Sequence, residues 1–514
     1  MYSRVLTSSL YGLDGELTWA EVDAETNLPG FFMVGLGSQS VKEARERIRS
    51  ALENCGYGFP AKRITVNLTP ANRKKDGSHY DLPIAVGLLL CLGFISADKN
   101  SPDIEGGSCA FLGELSLDGR ICPVEGVLPM VMGLKKQGVK KVIVPQENLA
   151  EASLVNGIDI CPARHLKQVA DHISGFDLIK PCRGPKQAAP SGQALDLADI
   201  RGQESVKRAA QIAAAGMHGM LMIGPPGVGK TMIGKRIPGL LPALSREEQL
   251  EVTQIYSVAG LLKGDLPLIQ DRPFRAPHHS ISQAALVGGG TKPRPGEISL
   301  AHKGVLFLDE LPEFAPKTLD SLRQPMEDGF AVINRVNARF SYPANFMLVA
   351  AMNPCRCGYW GDPVKACTCT ESDRKRYVGR ISGPFLDRID LQISLGRVVY
   401  KDISAGDRPA GSSTADLKEG VIKARKIQEE RYRGLPVSYN SQLTPSMIEK
   451  WCVPDEEGQS ILKKAFERWD MSARSYHRVL RLSRTIADID GEESVGYVHV
   501  LEALQYRFPE GLFT

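Results

Sequence analysis

The sequence lacks any apolar run long enough to cross a membrane. The longest candidate, Leu82–Ile95, is too short and lies inside a plausible globular domain. Its N-terminus lacks a basic flank followed by an apolar core and a cleavage site, so no export signal is expected and the cytoplasm is the expected compartment. It lacks a cysteine framework: seven of eleven cysteines (Cys55, Cys91, Cys109, Cys122, Cys161, Cys182, Cys452) are scattered through a large chain, the pattern of a reducing compartment. A strong charge of either sign is also missing. The net charge of +4 permits nucleic-acid binding without arguing for it. What remains is an ordinary soluble composition, 43% hydrophobic and 24% charged, in 514 residues, enough for roughly three domains.

The most informative stretch is Gly224-Pro225-Pro226-Gly227-Val228-Gly229-Lys230-Thr231. A short apolar run, Met220–Ile223, precedes it, and the residues after it can continue as a helix until Pro238. This is the full G-x-x-x-x-G-K-[ST] pattern in a strand–loop–helix setting. Glycines let the loop wrap a phosphate so that backbone N–H groups and the helix N-terminus face it. Lys230 is expected on the β- and γ-phosphates of ATP and Thr231 on Mg²⁺.

Val305–Leu308 is an apolar strand ending in Asp309 and Glu310, the first placed to orient Mg²⁺ and the second to polarise water. Phe346–Ala351 is another buried strand, and Asn353 at its tip fits a sensor of the γ-phosphate. Gly383–Asp390 follows, and Arg388 fits an arginine finger completing a neighbour's site, which requires an oligomer.

Cys355-Arg356-Cys357 and Cys367-Thr368-Cys369 are two C-x-C pairs joined by a compact loop. Four thiolates can close a tetrahedral structural zinc site; free thiols, disulfides or an iron–sulfur cluster are the alternatives. His278, His279 and His302 read as loop hydrogen-bonding or packing groups rather than metal ligands. Arg374, Lys375, Arg376 and Arg380 make the region after the cysteines basic, facing phosphates or solvent.

Residues 1–170 read as an α/β domain. Val5–Ser9, Gly30–Val34, Thr65–Leu68 and Val142–Val144 are strands, and Val41, Ala44, Ile48, Ala51 and Leu52 share one face of a helix. Phe111–Arg120 and Lys135–Pro145 resemble segments of the Lon-type peptidase domain, a ribosomal S5 domain 2-like fold. In the matching loop, Lys75–Asp81, His79 takes the place of that family's serine, and Leu128 takes the place of its lysine. Without base or charge partner, the resemblance implies a disarmed domain, with Ser78 one residue off. Arg63, Arg73, Lys74 and Lys75 are a DNA-facing patch or an ordinary solvated surface.

Residues 171–198, with Pro181, Pro185, Pro190 and Gly192, read as a linker. The ATPase core is expected at 199–400 with a cysteine insertion at 355–369, and a helical lid at 401–514. The pieces from Arg272–Ser280 through Pro295–His302 and Leu322–Gly329 resemble the magnesium-chelatase-like branch of the AAA+ superfamily. With the Lon-like front domain, the whole chain is similar to the competence-related YifB/ComM family. That resemblance implies a hexameric ring acting as a helicase on single-stranded or branched DNA in recombination. A remodelling ATPase acting on a protein complex is the alternative. By the same resemblance Ile200–Gly202 is a base-pocket segment or a plain interdomain turn, Arg272, Arg275 and Arg294 are candidates for pore or intersubunit contacts, and Gly288–Gly290 with Lys292 and Arg294 form a DNA-touching loop or a simple solvated turn. Arg474, or alternatively Arg478, is the lid's sensor arginine.

Overall fold

A computed structural model describes residues 1–35, 39–71, 75–96, 104, 106–182, 195–262, 268–290, 293–335, 338–397 and 412–506. Of the positions singled out above, Arg73, Lys74, Lys292 and the linker residues Pro185, Pro190 and Gly192 lie outside these residues. The chain forms two compact units, Met1–Ala189 with Arg246–Ile269, and Pro190–Ser245 with Gln270–Thr514.

The first unit is built on a seven-stranded mixed sheet in the order β3-β4-β2-β1-β5-β8-β9. Its strands are β1 (Tyr2–Tyr11), β2 (Asp14–Glu25), β3 (Gly30–Val34), β4 (Arg63–Thr69), β5 (Cys109–Phe111), β8 (Lys141–Pro145) and β9 (Asp159–Ala163), with the small hairpin β6 (Glu114–Leu115) and β7 (Ile121–Cys122) beside them. β1 and β2 pair antiparallel along their length, whereas β5, β8 and β9 run parallel to β1 and to one another. Alternation sets which face is buried: Thr18, Ala20, Val22 and Ala24 of β2 point inward, as do Ile64, Val66 and Leu68 of β4, while the residues between them are less buried. The helix Gln39–Asn54 turns Val41, Ala44, Ile48, Ala51 and Leu52 into this core, all at most 1% exposed.

Arg246–Val258 forms a helix that belongs to this first unit, although its neighbours in sequence belong to the second. Ser257 Oγ donates to the buried carboxylate of Glu151 at 2.5 Å, which also accepts from the backbone N–H of Leu128 at 2.9 Å. Lys75 is not part of a surface patch. It is 2% exposed and its ammonium donates to the carbonyl of Pro70.

The second unit is built on a five-stranded parallel sheet, order β11-β14-β17-β10-β18. Its strands are β10 (Met220–Ile223), β11 (Phe274–Arg275), β14 (Val305–Leu308), β17 (Met347–Met352) and β18 (Leu391–Ser394). β10, β14 and β17 are buried at every residue, as a parallel sheet covered on both faces requires. Two hairpins stand outside the sheet: β12 (Gly288–Gly289) with β13 (Arg294–Pro295), and β15 (Phe330–Arg335) with β16 (Ala338–Pro343). The helix after the P-loop runs Lys230–Leu240 and carries Pro238 inside its last turns instead of ending there. Proline there removes the hydrogen bond to the Gly234 carbonyl and crowds that carbonyl, a cost confined to the last turn because the helix ends two residues later.

The C-terminal helices Thr414–Arg431, Pro445–Trp451, Glu456–Arg468, Ala473–Asp490 and Tyr497–Gln505 share one continuous core with the sheet. Ser413 caps the first through a reciprocal pair with Asp416, and Ser472 caps the helix that carries Arg474.

Candidate nucleotide-binding site

The site lies where the central strands β10, β14 and β17 end. β10 is flanked by β17 and β18, so the loop Gly224–Thr231 emerges from the middle of the sheet. Gly227 and Gly229 take φ of 82° and 89°, which suits glycine, and a Cβ at either would meet nothing within 4 Å. The loop is therefore an open cradle. The Lys230 ammonium, 8% exposed, folds back onto the loop's own carbonyls, Gly224 at 2.6 Å and Pro225 at 2.9 Å, and onto Asn353 Oδ1 at 3.0 Å. Burial lowers its pKa, and the carboxylate of Asp309 opposes that shift.

Parallel register brings the acids to the same end. β14 pairs with β17, and β17 with β10, so the tips of all three converge. Thr231 Oγ1 donates to Asp309 Oδ2 at 2.6 Å. Glu310 sits at φ 53°, a left-handed backbone for a non-glycine residue, and its carboxylate lies 3.4 Å from His279 Nδ1. Strain of this kind is tolerated where the surrounding strand and turn fix the position.

The other expected residues gather around a carboxylate the sequence did not flag. Glu327 Oε1 pairs with Arg388 Nη2 at 2.9 Å and also with Arg474 Nη2. The remaining hydrogen bond of Arg388 goes to Pro384, so neither arginine bonds the P-loop of its own chain. Arg478, the alternative to Arg474, is 4% exposed and pairs with Asp390 at 3.3 Å, whereas the Arg474 side chain is 47% exposed. Asp390 is buried, at 7% exposed. Burial pushes its pKa up, but the hydrogen bond from His218 and the charges of Arg478 and Arg481 hold it down at about 2. His218 also meets Thr485 Oγ1 at 2.8 Å.

The four clustered cysteines are brought together. Cys355, Cys357 and Cys367 Sγ lie 3.3, 3.6 and 3.5 Å apart pairwise, and all four sulfurs fall within 4.8 Å of one another. A tetrahedral zinc–thiolate centre has sulfur–sulfur edges of about 3.8 Å, from bonds of about 2.3 Å. Against burial, N–H groups of Tyr359 and Thr368 hold the Cys357 thiol down at about 5. The histidines do not join a metal group: His278 bonds Ser280, and His302 Nδ1 accepts from the N–H of Asn345 at 3.0 Å. Among the described residues the cysteine cluster is the group that offers metal-ligand geometry. Arg272 and Arg275 are engaged within the unit, Arg272 on the Pro242 and Lys303 carbonyls and Arg275 on Glu297. Ile200 of the expected base pocket is 7% exposed, in the core of the unit.

Comparison with known proteins agrees with this geometry. Three family descriptions match in succession: "Subunit ChlI of Mg-chelatase" at residues 20–148, "Magnesium chelatase, subunit ChlI" at 196–403, and "Magnesium chelatase, subunit ChlI C-terminal" at 411–507. The chain is 43% identical to the Competence protein ComM of Haemophilus influenzae, over 99% of this chain and 97% of that one. It is 42% identical to YifB of Escherichia coli, over 98% and 97%. The chain belongs to the YifB/ComM family of magnesium-chelatase-like proteins. A shorter likeness, 28% over 177 residues, is to Lon protease 2 of Bacillus subtilis, covering 32% of this chain and 30% of that one. The family is of AAA+ type, which implies ATP and Mg²⁺. The residues present fit both: the space over Gly227 and Gly229 is open, a lysine ammonium is turned onto loop carbonyls, and a hydroxyl and a carboxylate are paired beside it. Among the described residues no helix is long and apolar enough to cross a membrane.

Proposed function

We propose that this chain is an ATP-dependent motor that acts on DNA, a helicase working as a hexameric ring in the cytoplasm. Its task is branch migration in homologous recombination during natural transformation. The observation that carries the reading is the gathering of Lys230, Thr231, Asp309, Glu310 and Asn353 at one end of a parallel sheet, in a chain so similar to a competence protein. The N–H groups of Gly224–Thr231 and the Lys230 ammonium bind the phosphates of ATP. Thr231 and Asp309 hold Mg²⁺, which neutralises charge on the phosphate oxygens. Glu310 orients the attacking water and takes its proton, and Asn353 holds the γ-phosphate end of the site. Arg388 is offered to the site of the next subunit and Arg474 to the γ-phosphate, both released from Glu327. Cys355, Cys357, Cys367 and Cys369 hold a structural zinc.

A second reading, a remodelling ATPase acting on a protein complex, is favoured by the match of residues 196–403 to a magnesium chelatase subunit. Four-way and forked DNA added to the purified full-length chain separate the two. The expected result is DNA-stimulated ATP hydrolysis with strand displacement, both lost in Lys230→Ala. A protein that hydrolyses ATP yet binds no DNA with ATP present overturns the DNA reading and leaves the remodelling one.

A further inference from the structure

The cysteine cluster and the P-loop are in contact. Gly358, between the two cysteine pairs, has φ 87°, and a Cβ built on it would come 2.7 Å from Cδ and 2.9 Å from Cγ of Pro226. The same Cβ would lie 3.9 Å from Cγ of Asn353, whose Oδ1 accepts the Lys230 hydrogen bond. Asn353 is also hydrogen-bonded through its backbone to the phenol of Tyr377, on the helix Glu371–Val378 that follows the second pair. The segment that leaves Asn353 and returns through Tyr377 thus closes over the loop that must hold the phosphates.

Besides the cysteines this segment is held by polar contacts, chiefly Asp362, whose buried carboxylate meets Arg397 at 2.6 Å and accepts from the N–H groups of Val364 and Lys365. Between residues 356 and 369 no apolar side chain is buried, and Val364 is 77% exposed. Tyr359 and Trp360 are half-buried and covered by cations rather than by apolar side chains, Lys365 at 4.0 Å and Arg374 at 5.2 Å from the ring centres. A loop with so little apolar contact does not recover the entropy of its ordering. Four thiolates on one ion recover it, because binding energy at such a site is folding energy for the segment that carries the ligands.

We propose that a thiophilic divalent cation, Zn²⁺ as the probe, held by Cys355, Cys357, Cys367 and Cys369, controls nucleotide binding by pinning Gly358 against Pro226 and Asn353 against Lys230. The inference rests on the reading of the cysteines as a zinc site and of Gly224–Thr231 as a nucleotide site. It goes beyond both: metal occupancy becomes a condition for ATP binding, not a distant staple.

The test uses the full-length protein. Metal per chain is counted by elemental analysis, and the affinity for a fluorescent ATP analogue is measured before chelation, after it, and after adding back Zn²⁺. The expected result is one metal per chain, at least a tenfold loss of nucleotide affinity on removal, and recovery with Zn²⁺ but not with Mg²⁺ alone. Gly358→Ala keeps all four thiols, so it is expected to retain the metal and still lose affinity. Cys367→Ser with Cys369→Ser is expected to lose both, with the thermal melt of each variant reporting whether the fold survives. Metal bound but nucleotide affinity unchanged by its removal overturns the coupling and leaves the zinc site standing. No metal bound overturns the zinc reading and the coupling with it. Metal bound with no nucleotide affinity at any stage overturns the nucleotide-site reading instead.

Discussion

Two loops of this molecule each carry a buried lysine, and they differ in where its hydrogen bonds can go. In Lys75–Asp81 of the first unit, every polar group named is answered by the protein. The Lys75 ammonium donates to Pro70, Ser78 donates to Glu114, His79 meets the Ser8 carbonyl at 3.0 Å, and Asp81 is clasped by Arg47 at 2.6 and 3.0 Å. In Gly224–Thr231 of the second unit, Lys230 bonds the carbonyls of its own loop while two glycines face empty space. A lysine sealed among fixed partners contributes to stability. Lys230 also bonds backbone carbonyls, but beside an open cradle, so it can exchange them for phosphate oxygens. The same side chain faces fixed partners in one unit and open space in the other.

The sharpest way to break this contrast is at the acid beside the open loop. Glu310→Gln keeps the shape and removes the base, so ATP hydrolysis is expected to fall by about a hundredfold or more while ATP binding is retained, as loss of a general base does. Steady-state turnover and analogue binding measured together check this; unchanged turnover would assign the base elsewhere. Next, Lys75→Met leaves the Pro70 carbonyl without its buried donor. It is expected to destabilise the first unit by about 1–3 kcal/mol in denaturant unfolding, with ATP affinity unchanged. A loss of ATP affinity of similar size would undo the distinction between the loops.

The smallest effect is a pH slope. Burial lowers the pKa of His79 to about 4 from the ordinary 6.5, so the folded state resists its protonation. The stability this contributes is complete above about pH 6.5 and is lost as pH falls toward 4, at about 1.4 kcal/mol per pH unit. Asp81 slopes the other way, because burial raises its pKa to about 6 despite Arg47, which favours the folded state at lower pH. The readout is therefore the difference between His79→Gln and the parent. The variant is expected to lose less stability between pH 6.5 and 5, and identical slopes would remove His79 from the account.

The nucleotide loop, the acids after β14 and the cysteine pairs were legible in the sequence, because each needs particular residue types at close spacing. The helix face Val41–Leu52 was legible for its period. The rest depends on contacts distant in the chain. Glu327 meets Arg388 and Arg474 from far upstream, and nothing at Glu327 itself marks it as their common partner. β2 hides because Glu21, Asp23 and Glu25 alternate with its buried residues, so its second half reads as polar. Arg246–Val258 reads as part of the ATPase core because its neighbours in sequence are, while its buried face, with Val252 and Ile255, belongs to the first unit. Lys75 resembles a surface cation until the Pro70 carbonyl is placed beside it.

Asp390 has a mechanical consequence. It accepts from His218 at the foot of β10, pairs with Arg478 on the helix that also carries Arg474, and stands two residues after Arg388. A carboxylate so enclosed cannot let go of one partner without exposing its charge to a medium that will not solvate it. Asp390 thereby ties the foot of β10, the last long helix and the loop that carries Arg388 to one buried charge.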